Sequence, residues 1–400
     1  MREFLVNLGF DLGLRARVTR AEPSERAARV LEGPFAWLVG SSPSDTVRLP
    51  HPPPAEFSRA TRALGLPMAG VTVAPAVRAH ATPVPFGWDR ETVALTSRYD
   101  APPAPPDLEV VRRVNGREFA HLVSRELLGD DPGPGPARSV EEVERLLDAE
   151  ADSDHGWVAK TEHGNAALGN RRLRSRRLSP GDRRWLGDAF ADHDVVVLER
   201  WRPRVLDLCV VFEVAPDGSA RGVAVHEAVH TAAGSFVGAL FDPAGPAPAR
   251  AAFSAAQAAD PVAGALADAG YTGPACLDAF VWWRDGRWRL RPLSDLNARM
   301  HASSPGRELW RTWAPDRVVY WRLLARRRLT LPDDPEEAQA ALGGDGLDPT
   351  RREGVVLVSP TAFGEPGSWR ASRRMAVAFV ARDRTAVFRL EARFRDRFER

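Results

Sequence analysis

The spacing of apolar and polar positions changes along the chain, and each change marks a different layer. Near the N-terminus the apolar runs FAWLVG (Phe35 to Gly40) and TVRLP (Thr46 to Pro50) end in turn residues; PAEFSRATRALGL follows with helical spacing, and AGVTVAP follows that. Strands alternating with a helix predict a small, doubly wound, open α/β domain. Neither strand is followed by GxGxxG, which argues against an independent dinucleotide site there.

Farther on, NGREFAHLVSRELLG (Asn115 to Gly129) has a capping residue, Asn115, apolar positions at helical spacing and a terminal glycine. SVEEVERLLDAEA begins with Ser139 as cap and an acidic first turn, and predicts a second helix. The segments GWVAK, DVVVLERW, DLCVVFEV, GVAVHEAV, LDAFVWW and WRLRPLSDLNAR are β-branched or alternating, with turns such as APDGSA and WRDGRW between them. They predict mainly antiparallel sheet, interrupted by one or two alanine-rich helices in AAFSAAQAADPVAGALADAG. The tail from Gly354 reads strand, loop, strand, helix and is expected to pack back on the middle portion. YDAPPAPPDLEVV (Tyr99 to Val111) and LPDDPEEAQAALGGDGLDPTRREG (Leu331 to Gly354) read as linkers or surface excursions, giving domains at 1–110 and 111–330 and a C-terminal segment at 331–400. There is no internal repeat.

Composition narrows the classes. A 400-residue chain with 44% hydrophobic and 27% charged residues is an ordinary folded protein of two or three domains. Its net charge of +2 does not advertise a polyanionic partner. The basic runs Arg171 to Arg177 and Leu323 to Leu329 lack interleaved aromatics, so they read as solvated surface rather than a nucleic-acid face. Cys209 and Cys276, far apart and without CxxC spacing, predict neither a disulfide framework nor a cysteine-based zinc site, but a chance pair of buried thiols. The opening MREFLVNLGFDLGLRARV carries charges within its short apolar part, and no apolar run reaches about 18 residues; a soluble cytoplasmic protein with no membrane partner is the expectation.

Lys160 is the only lysine, and every other basic side chain is arginine. It closes the strand GWVAK and precedes HGNAALGN, placing a compact ammonium beside a turn rich in backbone N–H donors, which suits a polyphosphate. Arginine-rich coding alone could leave one lysine by chance, and the glycines at 164 and 169 do not form a P-loop. The wider pattern favours the phosphate reading. Glu199 ends a strongly apolar strand, and Asp278, Asp295 and Asn297 follow, the last two sharing one face of a strand. Two carboxylates and an amide oxygen are hard ligands suited to Mg²⁺.

These ordered features resemble the ATP-grasp superfamily, in particular its carboxylate–amine ligases with an N-terminal pre-ATP-grasp domain. The resemblance covers roughly 114–303 and implies an open α/β domain followed by antiparallel sheets that clamp a nucleotide. It implies that Lys160 and the loop from His163 to Asn170, including Gly164 and Gly169, contact nucleotide phosphates; that Glu199 recognises the adenine edge; and that Asp207 holds ribose. Asp278, Asp295 and Asn297 would bind metal, and Arg299 would face the transferred phosphoryl group. ATP and Mg²⁺ are the implied cofactors, small-molecule carboxylates and amines the partners, and a homodimer is an allowed assembly. The chain departs from the pattern in three places: Arg117 stands where a second phosphate-binding lysine is usual, Asp295 where a glutamate is usual, and Ala166 and Ala167 where small or hydroxylated residues are common. A nucleotide-binding regulatory or scaffold protein without ligase activity is therefore the alternative reading.

HEAVH (His226 to His230) matches HExxH, but it follows a hairpin-like turn and an alternating strand, and no glutamate follows until Glu308, which argues against a zinc peptidase. The tryptophans at 282, 283 and 288 read as hairpin packing. His163 could touch phosphate or simply fix its loop.

Overall fold

Short apolar segments at the N-terminus pair in parallel, which a two-residue hairpin cannot connect. The computed structural model describes residues 1–14, 31–150, 155–165, 168–231 and 234–400, so Ala166 and Ala167 lie outside the described residues. Strands β1 (Arg2–Leu5), β2 (Thr46–Leu49), β3 (Gly70–Val73) and β4 (Thr82–Pro85) form a parallel sheet ordered β3-β2-β1-β4. Both prolines of β4 sit on an edge strand, where a missing N–H costs least. The run from Phe35 to Gly40 is not a strand: Gly33–Trp37 is a 3₁₀ turn, and Phe35, Trp37, Leu38 and Val39 are all buried. A short run that is apolar throughout looks the same in either form.

A four-stranded sheet follows, built from β5 (Gly135–Ala137), β6 (Trp157–Asn165), β7 (Leu168–Leu173) and β8 (Val196–Arg200), antiparallel in the order β5-β8-β6-β7. Helices Val140–Ala149 and Pro180–Asp192 cover one face, packing Leu147 and Leu186 against Trp157, Ala159, Leu173 and Leu198. Ser139 accepts the Glu142 N–H as expected of a cap. Asn115, however, does not cap the helix Arg117–Glu126; it ends the preceding helix, Leu108–Val114, donating to the Val111 carbonyl at 2.8 Å and accepting the Ala298 N–H at 2.9 Å.

The largest sheet joins β9 (Arg204–Val214), β10 (Ala220–His230), β11 (Phe236–Phe241), β12 (Gly273–Arg284), β13 (Arg287–Asn297), β14 (Val318–Ala325) and β15 (Gly354–Leu357). A two-stranded hairpin of β16 (Ala362–Phe363) and β17 (Arg370–Ala371) precedes its last member, β18 (Arg374–Ala381). All its pairings are antiparallel, in the order β13-β12-β9-β10-β11-β14-β18-β15. Asp285 and Gly286, at φ 52° and 71°, make the two-residue turn between β12 and β13, a geometry glycine adopts without strain. Helices Ala249–Ala256 and Ala259–Asp268 cover one face, burying Ala255, Val262 and Leu266 against Leu208, Val210 and Leu277.

The segment Leu331 to Gly354 is folded rather than a tether. It contains helix Pro335–Ala340, which contacts helix Ala55–Ala63, and it buries Leu331, Ala338 and Leu342 in a core shared with Val377, Phe379 and helix Arg384–Phe398. No helix among the described residues is long and apolar enough to cross a membrane.

Leu266 has no exposed surface whereas Phe253, on the neighbouring helix, is 66% exposed. Leu266→Ala should therefore cost about 2–5 kcal/mol in urea unfolding and Phe253→Ala less than about 0.5 kcal/mol. Equal costs would contradict this assignment of the helix faces.

Candidate functional site

Between the free face of the four-stranded sheet and the free face of the largest one lies a cleft of about 760 Å³, within the range of small-molecule sites. The two-residue period of each strand decides which side chains reach it. In β6, Trp157 and Ala159 point into the helix-covered core, so Val158, Lys160 and Gly164 line the cleft; from β7 come Asn170 and Arg172.

Lys160 is 4% exposed. Its Nζ lies 2.7 Å from Glu199 Oε2 and donates to the Ser294 carbonyl at 2.8 Å. The same Glu199 oxygen is 3.0 Å from Nη2 of Arg291, which is 1% exposed. Burial alone would raise the Glu199 carboxyl, but Arg291 and then Lys160 hold it down at about 2. Burial lowers Lys160 to about 8; Glu199 opposes this and Arg291 adds to it. One carboxylate thus serves two buried cations, and the surplus positive charge faces the cleft. Arg117, also buried, lies alongside, donating from Nη1 to the Thr161 carbonyl at 2.8 Å and from Nη2 to Asp295 Oδ2 at 3.4 Å. Beneath it Glu162 accepts the Glu118 N–H at the first turn of helix Arg117–Glu126, and burial raises its carboxyl to about 7 against that hydrogen bond.

The acidic set is assembled by strand pairing. Asp278 and Asp295 are directly opposite across β12 and β13, and Asn297 is on the same face. Asp278 Oδ1 is buried without a hydrogen-bond partner, and burial, then Asp295, push its carboxyl up to about 6. Two carboxylates side by side on one wall of a cleft fit a bound divalent cation. Asn297 Oδ1 accepts from Arg299 Nη2 at 2.8 Å. Arg299 also grips Asp11 from the N-terminal layer, at 2.8 Å and 3.2 Å, and donates to the Met300 carbonyl at 2.9 Å, so four of its five N–H groups are engaged. Asp207 lies 3.0 Å from Arg204 and 3.2 Å from His230, and these two hold its carboxyl below the usual range despite burial.

Among the described residues, the structure therefore brings Arg117, Lys160, Gly164, Asn170, Glu199, Asp207, Asp278, Asp295, Asn297 and Arg299 to one cleft. It does not bring His163 or Gly169 there. Both fall on the opposite face of the hairpin: His163 is 5% exposed, driven to about 3 first by burial, and a Cβ on Gly169 would lie 2.2 Å from Thr161 Oγ1. The expected loop is mostly strand, Lys160 lying opposite Asn170, with a break in register between Lys160 and Asn165. HEAVH lies in β10, where Glu227 pairs with Arg384 at 2.7 Å, while His226 is buried, held neutral by burial at about 3 and hydrogen-bonded to Ser303 Oγ at 2.8 Å. Trp283 and Trp288 pack edge to face at 4.5 Å on the hairpin, as expected. Sequence reading missed Arg291, Asp11 and Glu162. Arg291 follows Arg287 and Arg289 at the same two-residue spacing along β13, and only its depth in the fold distinguishes it.

Eight basic side chains line the cleft against four carboxylates, a local excess that attracts polyanions. No protein-family model matches the chain, and no curated protein matches it. Solved structures do. A phosphoribosylamine–glycine ligase from Thermotoga maritima is similar at 12% identity over 100% of this chain and 97% of its own, with a TM-score of 0.59. An N5-carboxyaminoimidazole ribonucleotide synthetase from Thermus thermophilus is similar at 14% identity over 99% and 98%, with a TM-score of 0.52. A biotin carboxylase from Campylobacter jejuni, solved as a β,γ-ATP complex, is similar at 11% identity over 89% and 86%, with a TM-score of 0.54. At these identities the likeness shows a shared fold, the one implied by the ATP-grasp resemblance.

The Glu199 carboxyl titrates lower in the folded chain than the ordinary 4.5, so its contribution is present above 4.5 and is lost as pH falls toward 2. Glu199→Gln should destabilise the protein by about 3–5 kcal/mol at neutral pH, because it leaves the buried Lys160 without its anion and Arg291 with only Asp130, at 3.7 Å. The gap in urea midpoint between the two proteins should narrow on acidification; a gap independent of pH would contradict the assignment.

Proposed function

We propose that the chain is an ATP- and Mg²⁺-dependent carboxylate–amine ligase that works through an acyl phosphate. The observation that carries this reading is the meeting of Lys160, Arg117 and the Asp278–Asp295–Asn297 face in one positively charged cleft. The fold shared with a ligase, a synthetase and an ATP-complexed carboxylase supports it. Domains at 1–110, 111–330 and 331–400 are part of the same proposal.

In this reading Lys160 and Arg117 hold the nucleotide phosphates, and Glu199, whose Oε2 fixes Lys160 and Arg291, meets the adenine edge. Asp295, Asn297 and Asp278 would hold Mg²⁺, which supplies neutralisation of phosphate charge when bound. Arg299, aimed by Asp11, keeps one N–H for the transferred phosphoryl group, and Asp207 with Arg204 stands where ribose would lie. The substrate carboxylate attacks the γ-phosphorus with loss of ADP, and the amine then displaces phosphate from the acyl carbon. No protein nucleophile is needed, since phosphoryl transfer is governed by positioning and charge. The alternative, nucleotide binding without ligation, predicts thermal stabilisation by Mg-ATP with no ADP release for any carboxylate–amine pair.

Lys160→Ala should lower substrate-dependent ADP release by roughly 10²–10³-fold in a protein that still folds; unchanged turnover would refute the assignment. Because the Lys160 ammonium loses its proton near pH 8 in the free protein, ATP affinity should weaken as pH rises through about 8, and Lys160→Arg should remove that dependence. Equilibrium binding across this range reads the difference.

A further inference from the structure

The helix Arg117–Glu126 has no cap of its own. Its N-cap position is Gly116, whose lack of a side chain leaves the first N–H groups without a local acceptor. The acceptor comes from another element: Glu162 Oε2 of β6 takes the Glu118 N–H at 3.1 Å. Gly116 makes room for it, since a Cβ there would lie 2.1 Å from Glu162 Oε1. A capping side chain at 116 and the Glu162 carboxyl thus exclude each other.

Strand β6 in this way governs both cations proposed to hold phosphate. Lys160 and Thr161 pair with Val197 and Val196 of β8, and the Glu162 N–H donates to the Val195 carbonyl at 3.1 Å. Three successive residues are therefore fixed by one neighbouring segment. The first supplies the ammonium; the second accepts Arg117 Nη1 at 2.8 Å through its carbonyl; the third holds the turn from which Arg117 projects. We propose that Glu162 is a positioning residue for nucleotide binding, acting through Arg117, whose reach to the phosphates it sets relative to Lys160. This inference rests on the ligase reading, which assigns Arg117 to phosphate.

An arginine at this point needs such support. Its side chain is long and has many rotamers, so a phosphate that binds a loose one must immobilise it. Here the backbone of Arg117 is fixed by Glu162 through the helix and its guanidinium by the Thr161 carbonyl, while Nη1 and Nη2 each keep a second N–H. The role of Glu162 is that of an acceptor, which a carboxyl fills in either protonation state. Glu118, the like charge beside it, is drawn off by Arg138 at 2.8 Å, and Arg117 and Arg112 are the cations that act on it.

Equilibrium binding of Mg-ATP to the full-length protein, without carboxylate or amine, tests this, with urea midpoints confirming that each variant is folded. Arg117→Ala should weaken binding roughly 10–100-fold, and Glu162→Ala roughly 3–30-fold. The double variant should match Arg117→Ala within about twofold, because a residue that acts only through Arg117 has nothing left to position. Glu162→Gln keeps an acceptor oxygen and should restore most of the affinity. Gly116→Ala leaves residue 162 in the chain and crowds its carboxyl off the helix; it should repeat the loss, and it carries the test if Glu162→Ala does not fold. Parent-like binding in every one of these carboxyl-removing or carboxyl-crowding variants that folds, or losses that multiply in the double variant, would overturn the inference and leave the ligase reading intact. A parent protein that binds no Mg-ATP would instead sink that reading, and this inference with it.

Discussion

The Glu199 carboxylate is the group around which the cleft is organised. It rises from the four-stranded sheet together with Lys160, and its partner Arg291 comes from the opposing sheet, as does the Ser294 carbonyl that Lys160 also contacts. A buried ion group of this kind contributes little net stability, because desolvating three charges offsets most of their attraction. What it contributes is position: two sheets from separate parts of the chain are held at a fixed separation, with a cation surplus facing the space between them.

A similar economy governs the far wall. Asp11 reaches from the N-terminal layer to hold Arg299, which in turn holds Asn297. The N-terminal layer thereby fixes a residue of the acidic face. Asn115 anchors the same stretch from another side, through the Ala298 N–H. The cleft is therefore supported by three parts of the chain, and Arg117 and Asp295 meet there, the long arginine reaching the short carboxylate at 3.4 Å.

The acidic row is crowded from two directions. Asp278 lies opposite Asp295 across the strand pair and 4.0 Å from His301 Nε2. Burial, then Asp295, raise its carboxyl, and a bound cation would offset both.

Much of the architecture was legible in the sequence, because a strand with one buried face must alternate and a helix with one buried face must repeat near every fourth residue. The strand that carries Lys160, the pairing of Asp295 with Asn297 on one face and the alanine-rich helices all follow from those periods. Where the period is uninformative the sequence misleads: the wholly apolar run at Phe35 is a turn, and His163, among residues that suggest a loop, lies in a strand on the wrong face for the cleft. The sequence by itself determined which residue types alternate along each strand. Tertiary structure alone decided that Arg291 rather than Arg289 meets Glu199, that Asp11 meets Arg299 and that two distant cysteines touch, since those contacts depend on which strands become neighbours and in what register, which no local period records.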